Sequence, residues 1–98
     1  MIEELTRDTF ARQLNSRFRV ERHGAGAVTL ELVEAGEVRS SGRSETFSIL
    51  FRGPPDVFLP QAIYRFEHDA TGAFDLFIVP IRRDQYGVCY ESLFNRLR

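Results

Sequence analysis

TGAFDLFIVPIRRDQYGVCYESLFNRLR, residues 71–98, is the stretch that decides the fold of this chain. It contains two candidate strands, residues 73–82 and 88–97, joined by a turn at residues 84–87. The first strand is apolar on both faces, with Phe74, Leu76 and Ile78 on one and Phe77, Val79 and Ile81 on the other. A strand covered on both faces reads as a near-continuous apolar run, whereas a strand with one face in water alternates apolar with polar. The pattern therefore predicts a central strand that is buried on both sides.

Four upstream segments alternate apolar with polar residues and predict further strands. They are residues 17–22, 28–38, 45–52 and 62–68. A phase change near Val33 to Ala35 indicates a bulge in the second of these. Pro80, which cannot donate a ladder hydrogen bond, is expected at a bulge in the 73–82 strand or where the neighbouring strand has departed. Residues 39–43 read as a loop. Residues 53–60, rich in proline, form the longest irregular connection and are expected to cross between two parts of the sheet.

One short helix is predicted at about residues 6–14. Thr6 can cap it, Asp8 lies in the first turn, and Phe10 and Leu14 fall on one face. The whole pattern predicts a single mainly β domain over residues 1–98. Its expected form is a small antiparallel barrel or sandwich of about six strands, with the helix covering one opening or edge.

Composition narrows the functional classes. The chain has 98 residues, enough for one core, and its 14 acidic residues balance 13 basic residues, all of them Arg, to a net charge of −1. The two signs interleave, so no basic footprint for nucleic acid is predicted. No apolar window is long enough for a membrane helix, and the start MIEELTRDTF is acidic where a signal peptide is basic. We expect a chain that is cytoplasmic as synthesised, with a larger exported or virion-like assembly as one setting.

Cys89 and His68 are the first candidate nucleophile and base. If the chain folds back at residues 69–72 and at residues 84–87, His68 lies opposite Ala73 and Cys89 opposite Arg82. These positions are ~30 Å apart along one strand, so the pair cannot meet. Cys89 is therefore interpreted as a small structural residue, and as the only cysteine it cannot form an intramolecular disulfide.

Metal and cofactor sites are not predicted. His23 and His68 lie at turn edges, where they are expected to hydrogen-bond turn backbone. Glu67 and Asp69 flank His68, but neighbours in a strand point to opposite faces and cannot ligate together. The glycines of residues 24–26 lead into a strand and not a helix, which excludes a phosphate cradle.

The sequence leaves two functional classes open besides a protein-interaction module, an enzyme and a small-ligand-binding barrel. An enzyme could use Glu91 and Tyr90 with an Arg, since Glu91 is expected opposite Pro80, where the ladder is interrupted. A hydrogen-bonded structural role for Glu91 is favoured over this, because no second carboxylate is placed beside it. A small-ligand barrel could use an aromatic interior that includes Phe66, Phe74 and Tyr90. A barrel of six strands is narrow, however, and its interior should be filled by side chains.

The leading hypothesis is a non-enzymatic interaction or assembly module. The loop PPDVFLP carries Val57, Phe58 and Leu59, which are expected to be only partly covered and to bind a partner. An exposed strand edge could also bind by strand addition. The expected partner is another protein or a second copy of the chain, with no catalytic residue, cofactor or metal.

Residues 59–97 resemble an uncharacterised family of small bacterial domains of about this length. The family pattern runs L-P-Q, then Y and H, then G, L-F, V-P, G, Y-E and F-N. It matches Leu59, Pro60, Gln61, Tyr64, His68, Gly72, Leu76, Phe77, Val79, Pro80, Gly87, Tyr90, Glu91, Phe94 and Asn95. Members of that family are encoded near proteins similar to phage tail-collar or microcystin-dependent proteins. The resemblance implies that this chain is encoded near such a protein as well. It implies no catalytic residue.

Overall fold

A computed structural model of the protein describes residues 5–97, and within them the chain forms one helix and seven strands. The helix α1 is Arg7–Ala11. The strands are β1 (Arg17–Glu21), β2 (Ala27–Ala35), β3 (Arg39–Ser41), β4 (Ser44–Gly53), β5 (Ala62–His68), β6 (Gly72–Asp84) and β7 (Gly87–Leu97). Residues 1–4, part of the acidic start from which an unexported chain was expected, lie outside the described residues. No helix in the described part is long and apolar enough to cross a membrane.

Six of these strands close into an antiparallel barrel in the order β1-β2-β4-β7-β6-β5. The β2–β4 pairing closes the barrel, and β1 pairs with β5 through Arg19↔Glu67 and Val20↔Phe66. The prediction of a mainly β, antiparallel fold with one short helix is confirmed, and the barrel replaces the sandwich alternative. The extra strand β3 lies beside β4. The prediction of a loop at residues 39–43 is therefore wrong for the residues of β3. The sequence did not reveal this strand, because all three of its residues are exposed and show no apolar alternation.

Aromatic rings fill the barrel. Phe18, Phe51, Phe66 and Phe74 contact one another, with centroid separations from 5.1 to 6.4 Å. Phe18, Phe51 and Phe66 have no exposed surface. Such packing is expected in a six-stranded barrel, whose interior is only wide enough for side chains.

Helix α1 covers one end of this interior. The side chain of Thr6 accepts a hydrogen bond from Thr9 N, which caps the helix as predicted. Phe10 is fully buried between the rings of Phe74 and Phe94, at 5.9 and 5.4 Å. The helix ends at Ala11, so the predicted extent to residue 14 is wrong and Leu14 is 45% exposed. The chain leaves the helix early because the amide of Asn15 donates to Leu32 O at 2.7 Å, which begins the pairing beside β2.

The bulge predicted in β2 is present, and Pro80 lies at a bulge, one of its two expected settings. The register shifts between Leu32 and Glu34 in β2 and between Pro80 and Arg82 in β6. The second bulge corrects the expected pairing, because it adds a residue to β6 and places Glu91 opposite Val79 instead of Pro80. Cys89 lies opposite Arg82 as predicted.

The expectation that β6 is buried on both faces is wrong. Leu76 and Ile78, on the inner face, are 6% and 0% exposed, whereas Phe77 on the outer face is 47% exposed. A barrel closes on itself, so each strand has an inner face in the core and an outer face directed away from it. The second apolar face that the sequence gives to β6 is therefore left largely uncovered.

Candidate protein-interaction surface

The outer face of β6 and its two neighbours carries a continuous apolar surface. Phe77 pairs directly with Ile63 of β5, which is 60% exposed. On the other side, Leu93 of β7 is 69% exposed and lies two residues beyond Glu91, the partner of Val79. The hydroxyl of Ser92 donates to Phe77 O at 2.8 Å, which keeps β7 beside Phe77. We call Ile63, Phe77, Val79 and Leu93 the outer apolar stripe.

Two further exposed apolar residues lie toward the C-terminal end of β6. Ile81, the bulged residue, is 48% exposed. Phe58 is also 48% exposed, and the guanidinium of Arg83 lies 5.8 Å from its ring centroid. Arg83 also donates to Pro55 O at 3.0 Å, so it holds the loop against the end of β6. Phe58 is thereby fixed beside the end of the strand that carries the stripe.

The three loop residues predicted to bind a partner, Val57, Phe58 and Leu59, differ in their exposure. Leu59 is 3% exposed and belongs to the core, Val57 is half-buried against it, and only Phe58 points outward. The reason is that the loop joins β4 to β5 on opposite sides of the barrel and must cross its open end, where an apolar side chain fills the mouth. Leu59 is therefore removed from the predicted surface.

Tyrosine hydroxyls hold the loop across the barrel mouth. The buried amide of Leu59 donates to Tyr90 Oη at 3.0 Å, and the Tyr90 hydroxyl donates to Val57 O at 3.4 Å. The Tyr64 hydroxyl donates to Pro60 O at 2.6 Å. Burial raises the pKa of Tyr90 above its ordinary value, although the hydrogen bond from Leu59 works in the opposite direction. The pKa of Tyr64 is also raised by burial.

These pKa shifts predict a loss of stability in alkali. Above about pH 10, the tyrosine pKa in an unfolded chain, the folded state binds more protons than the unfolded state, so the free energy of unfolding falls as pH rises. Tyr90→Phe should lower that free energy by about 1–2 kcal/mol near pH 7, because the Leu59 amide loses its partner, and should flatten the alkaline decline. Urea unfolding at about pH 7 and about pH 10.5 measures both effects. Tyr86→Phe, at a side chain 73% exposed, is the control and should change neither.

Charged side chains frame the stripe. At the N-terminal end of β6, Arg65 Nε and Asp75 Oδ1 form an ion pair of 2.9 Å directly beside Ile63 and Phe77. Glu91 lies half-buried between Val79 of β6 and Leu50 of β4. Exposed pairs of this kind contribute little to stability. Their consequence here is an apolar centre with a polar rim, which is the usual anatomy of a protein interface.

A separate groove of about 1050 Å³ lies across β5, β1, β2 and β4. Its charged side chains are largely engaged with each other, through an ion pair of Arg19 with Glu67 and a longer contact of 3.9 Å between Arg52 and Glu31. The hydrogen bond to Glu67 raises the pKa of Arg19. A second depression of about 120 Å³ lies beside α1. Neither is lined by Phe66, Phe74 or Tyr90, the interior residues of the small-ligand alternative.

The structure keeps Cys89 and His68 apart. His68 lies opposite Gly72, one residue from the expected Ala73 because the turn is shorter, and Cys89 lies opposite Arg82. Ten residues of β6 separate those positions (82 − 72), or ~30 Å. The Cys89 sulfur accepts a hydrogen bond from Arg82 at 3.3 Å.

His68 hydrogen-bonds the backbone of its turn, as predicted, whereas the prediction is wrong for His23, whose partner is a carbonyl of strand β5. His68 Nδ1 accepts from the amides of Ala70 and Thr71 at 3.1 and 3.3 Å, so its proton is on Nε2, which lies 2.9 Å from Ser16 Oγ. His23 Nε2 lies 3.2 Å from Ile63 O. Among residues 5–97 no group of three or more His, Cys, Asp or Glu side chains is placed to hold a metal ion.

Glu91 and Tyr90 do not converge. They are neighbours in β7, so Tyr90 points into the barrel, where it has no exposed surface, and Glu91 points to the outer face. The residues that sequence reasoning missed are Ile63 and Leu93, which it placed in strands without a role. The signal that could have found the surface was present in β6, whose two apolar faces exceed what one small barrel can bury.

The fold and this surface define the protein as a small closed β-barrel domain with an uncovered apolar outer face. A family model matches residues 5–94, and the chain belongs to that family, a domain of unknown function named DUF6916. This agrees with the resemblance to an uncharacterised family of small domains. No curated protein and no solved structure matches the chain.

Proposed function

We propose that this domain is a non-enzymatic interaction or assembly module that binds a protein partner through the outer apolar stripe. The observation that carries the proposal is the two-faced apolar pattern of β6, of which the chain buries only one face. Ile63, Phe77 and Leu93 are 60%, 47% and 69% exposed on three neighbouring strands. Contiguous exposed apolar surface of this kind marks interaction sites in soluble proteins, whereas single exposed apolar residues do not.

The apolar area that the outer apolar stripe leaves exposed favours the binding of a partner. Burying a Leu, Ile or Phe side chain completely contributes about 1.5–3 kcal/mol, so covering the half that remains exposed contributes roughly 1 kcal/mol for each residue. The stripe with Ile81 and Phe58 thus supplies about 5 kcal/mol before the cost of association, so the apolar surface of the partner must supply at least as much for a modest and reversible affinity.

Strand addition is the weaker form of this proposal. Within residues 5–97 the terminal strand of the sheet is β3, whose outer edge has no neighbouring strand there, but it has three residues and begins with Arg39. Short, charged edge strands are what proteins use to prevent edge pairing. The stripe is therefore preferred as the docking surface.

The more specific setting is a tail-like assembly. The family resemblance supports a partner similar to tail-collar proteins, and a chain made in the cytoplasm would reach such an assembly through that partner. A repeated assembly would also explain why this domain carries an uncovered apolar face.

Replacing the stripe is expected to abolish partner capture while leaving the fold intact. The double variant Ile63→Arg/Phe77→Arg places charge on two exposed positions, so its free energy of unfolding should stay within about 1 kcal/mol of wild type. Capture from lysate of the native host, with quantitative mass spectrometry, should recover a partner with the wild-type chain and lose it with the variant. Thr29→Arg, on the exposed outer face of β2, is the matched control and should capture as wild type does. If the stripe variant captures the same proteins in the same amounts, this surface is not the docking face.

A further inference from the structure

We infer that the occupant of the outer apolar stripe is a second copy of this chain, packed about a two-fold axis that runs along β6. The inference rests on the proposed function and deepens it by naming the partner. A symmetric dimer uses the same patch on both subunits, so the patch must be complementary to itself. The order of residues across β5, β6 and β7 meets that requirement.

The apolar residues match under this symmetry. Because β6 has β5 on one side and β7 on the other, an axis along β6 places β5 of each copy over β7 of the other. Ile63 pairs with Phe77, and Leu93 lies at the same level on the opposite side. The axis therefore sets Ile63 of each copy over Leu93 of the second copy, while Phe77 and Val79 meet their own counterparts at the centre.

The polar residues match as well. Glu91 lies at the level of Val79 on the β7 side, and Gln61, which is exposed, precedes the pair Ala62↔Ile78 and so lies at that level on the β5 side. The axis brings the carboxylate of Glu91 over the amide of Gln61 in the second copy, which can donate a hydrogen bond. An axis across the strands at the level of Val79 would instead set Glu91 against Glu91, and like charges in an interface are unfavourable.

The charges at the end of the stripe are also balanced by this axis. Asp75 lies on β6 close to the axis and is already paired with Arg65 of β5. In the dimer each Asp75 would approach its counterpart, but it would also lie between its own Arg65 and Arg65 of the second copy. An alternating arrangement of two carboxylates and two guanidinium groups has no uncompensated charge.

The size of the face sets the expected strength. From Asp75 to Ile81 β6 extends ~20 Å, and the three strands β5, β6 and β7 span ~14 Å, which gives a projected face of ~280 Å². A stable interface of standard size buries about 800 Å² on each partner. The dimer is therefore expected to be weak and to dissociate on dilution.

Light scattering after size exclusion, over a wide range of loading concentrations, tests the dimer. The mass should rise with concentration from 11.3 kDa toward twice that value. Leu93→Arg and Phe77→Arg should hold the mass at the monomer, and Thr29→Arg should behave as wild type. A wild-type chain that stays monomeric at every concentration, or stripe variants that dimerise as wild type does, would overturn the inference.

Cross-linking tests the symmetry. In a Cys89→Ser background, chains carrying Ile63→Cys and chains carrying Leu93→Cys should be joined when mixed by a bis-maleimide that spans ~10 Å, the separation of packed sheets. Either chain alone should give little product, and Thr29→Cys chains should give none. Preferential joining of residue 63 to residue 63 would overturn the axis along β6.

The two proposals fail in distinguishable ways. A monomeric chain that still captures a host protein through the stripe overturns the self-association and supports the proposed function. A monomeric chain whose captured proteins do not depend on the stripe overturns both.

Discussion

Gly87→Ala is expected to lower the free energy of unfolding by about 3 kcal/mol or more, which is a large part of the stability of a domain of this size. Gly87 begins β7 at the point where that strand passes the end of β4. A Cβ added there would lie 2.3 Å from the carbonyl oxygen of Gly53, and the residue has a φ of +149°. The obstacle is backbone on a neighbouring strand and cannot move aside as a side chain could, so the β4–β7 pairing must shift.

Gly24→Ala separates the two causes of this loss, the close approach to the Gly53 carbonyl and the positive φ. Gly24 has a φ of +90° and no described atom within 4 Å of an added Cβ, so this variant should pay only the strain of a positive φ, about 1 kcal/mol. Urea unfolding followed by circular dichroism measures both variants. An equal cost for the two would mean that the close approach of Gly87 to Gly53 is not a determinant of stability.

Local chemistry made parts of the fold predictable. Pro80 lacks the amide hydrogen that a ladder needs, and the apolar phase of β2 changes near Val33, so each marks a register shift that the structure contains. The same reasoning placed Cys89 opposite Arg82, because only a tight turn intervenes. Features of this kind depend on neighbours in the chain.

Features that depend on distant pairing could not be predicted in the same way. Closure of the barrel requires β2 to meet β4, and alternation along each strand is the same in a barrel and in a sandwich. Likewise the loop sequence shows three adjacent apolar residues, but only the crossing of the barrel mouth decides that Leu59 fills the core and Phe58 does not.

The candidate surface shows a further limit of pattern reading. The apolar run of β6 is typical of a strand buried on both faces, yet the pattern does not say whether one small barrel can cover both of them. For Leu76 and Ile78 the chain does so, and for Phe77 it leaves nearly half the side chain exposed. If the outer apolar stripe binds a partner as proposed, a two-faced apolar strand in a domain too small to cover both faces is a sequence signal for association.

Phe10→Ala is expected to lower the free energy of unfolding by about 4 kcal/mol, within the usual range for removing a fully buried Phe. The cost exceeds the lost packing with Phe74 and Phe94, because helix α1 has only five residues and such a helix is not stable unless its apolar face is docked. Without its anchor the helix should leave the end of the barrel, and the hydrogen bonds from Arg7 to the carbonyls of Ala35 and Gly36 should be lost with it.

Amide hydrogen exchange and urea unfolding together check this prediction. In Phe10→Ala the amides of residues 10 and 12, which bond Thr6 O and Asp8 O, should lose protection, while amides of the β4–β7 ladder should remain protected below the unfolding transition. Leu14→Ala is the matched control, since Leu14 is 45% exposed and follows the helix, and it should cost less than about 1 kcal/mol. A small loss for Phe10→Ala with the helix amides still protected would show that other contacts hold α1 in place. The stripe variants carry the opposite expectation, with association lost and stability kept, because the side chains that close the barrel and the side chains left outside it are different sets.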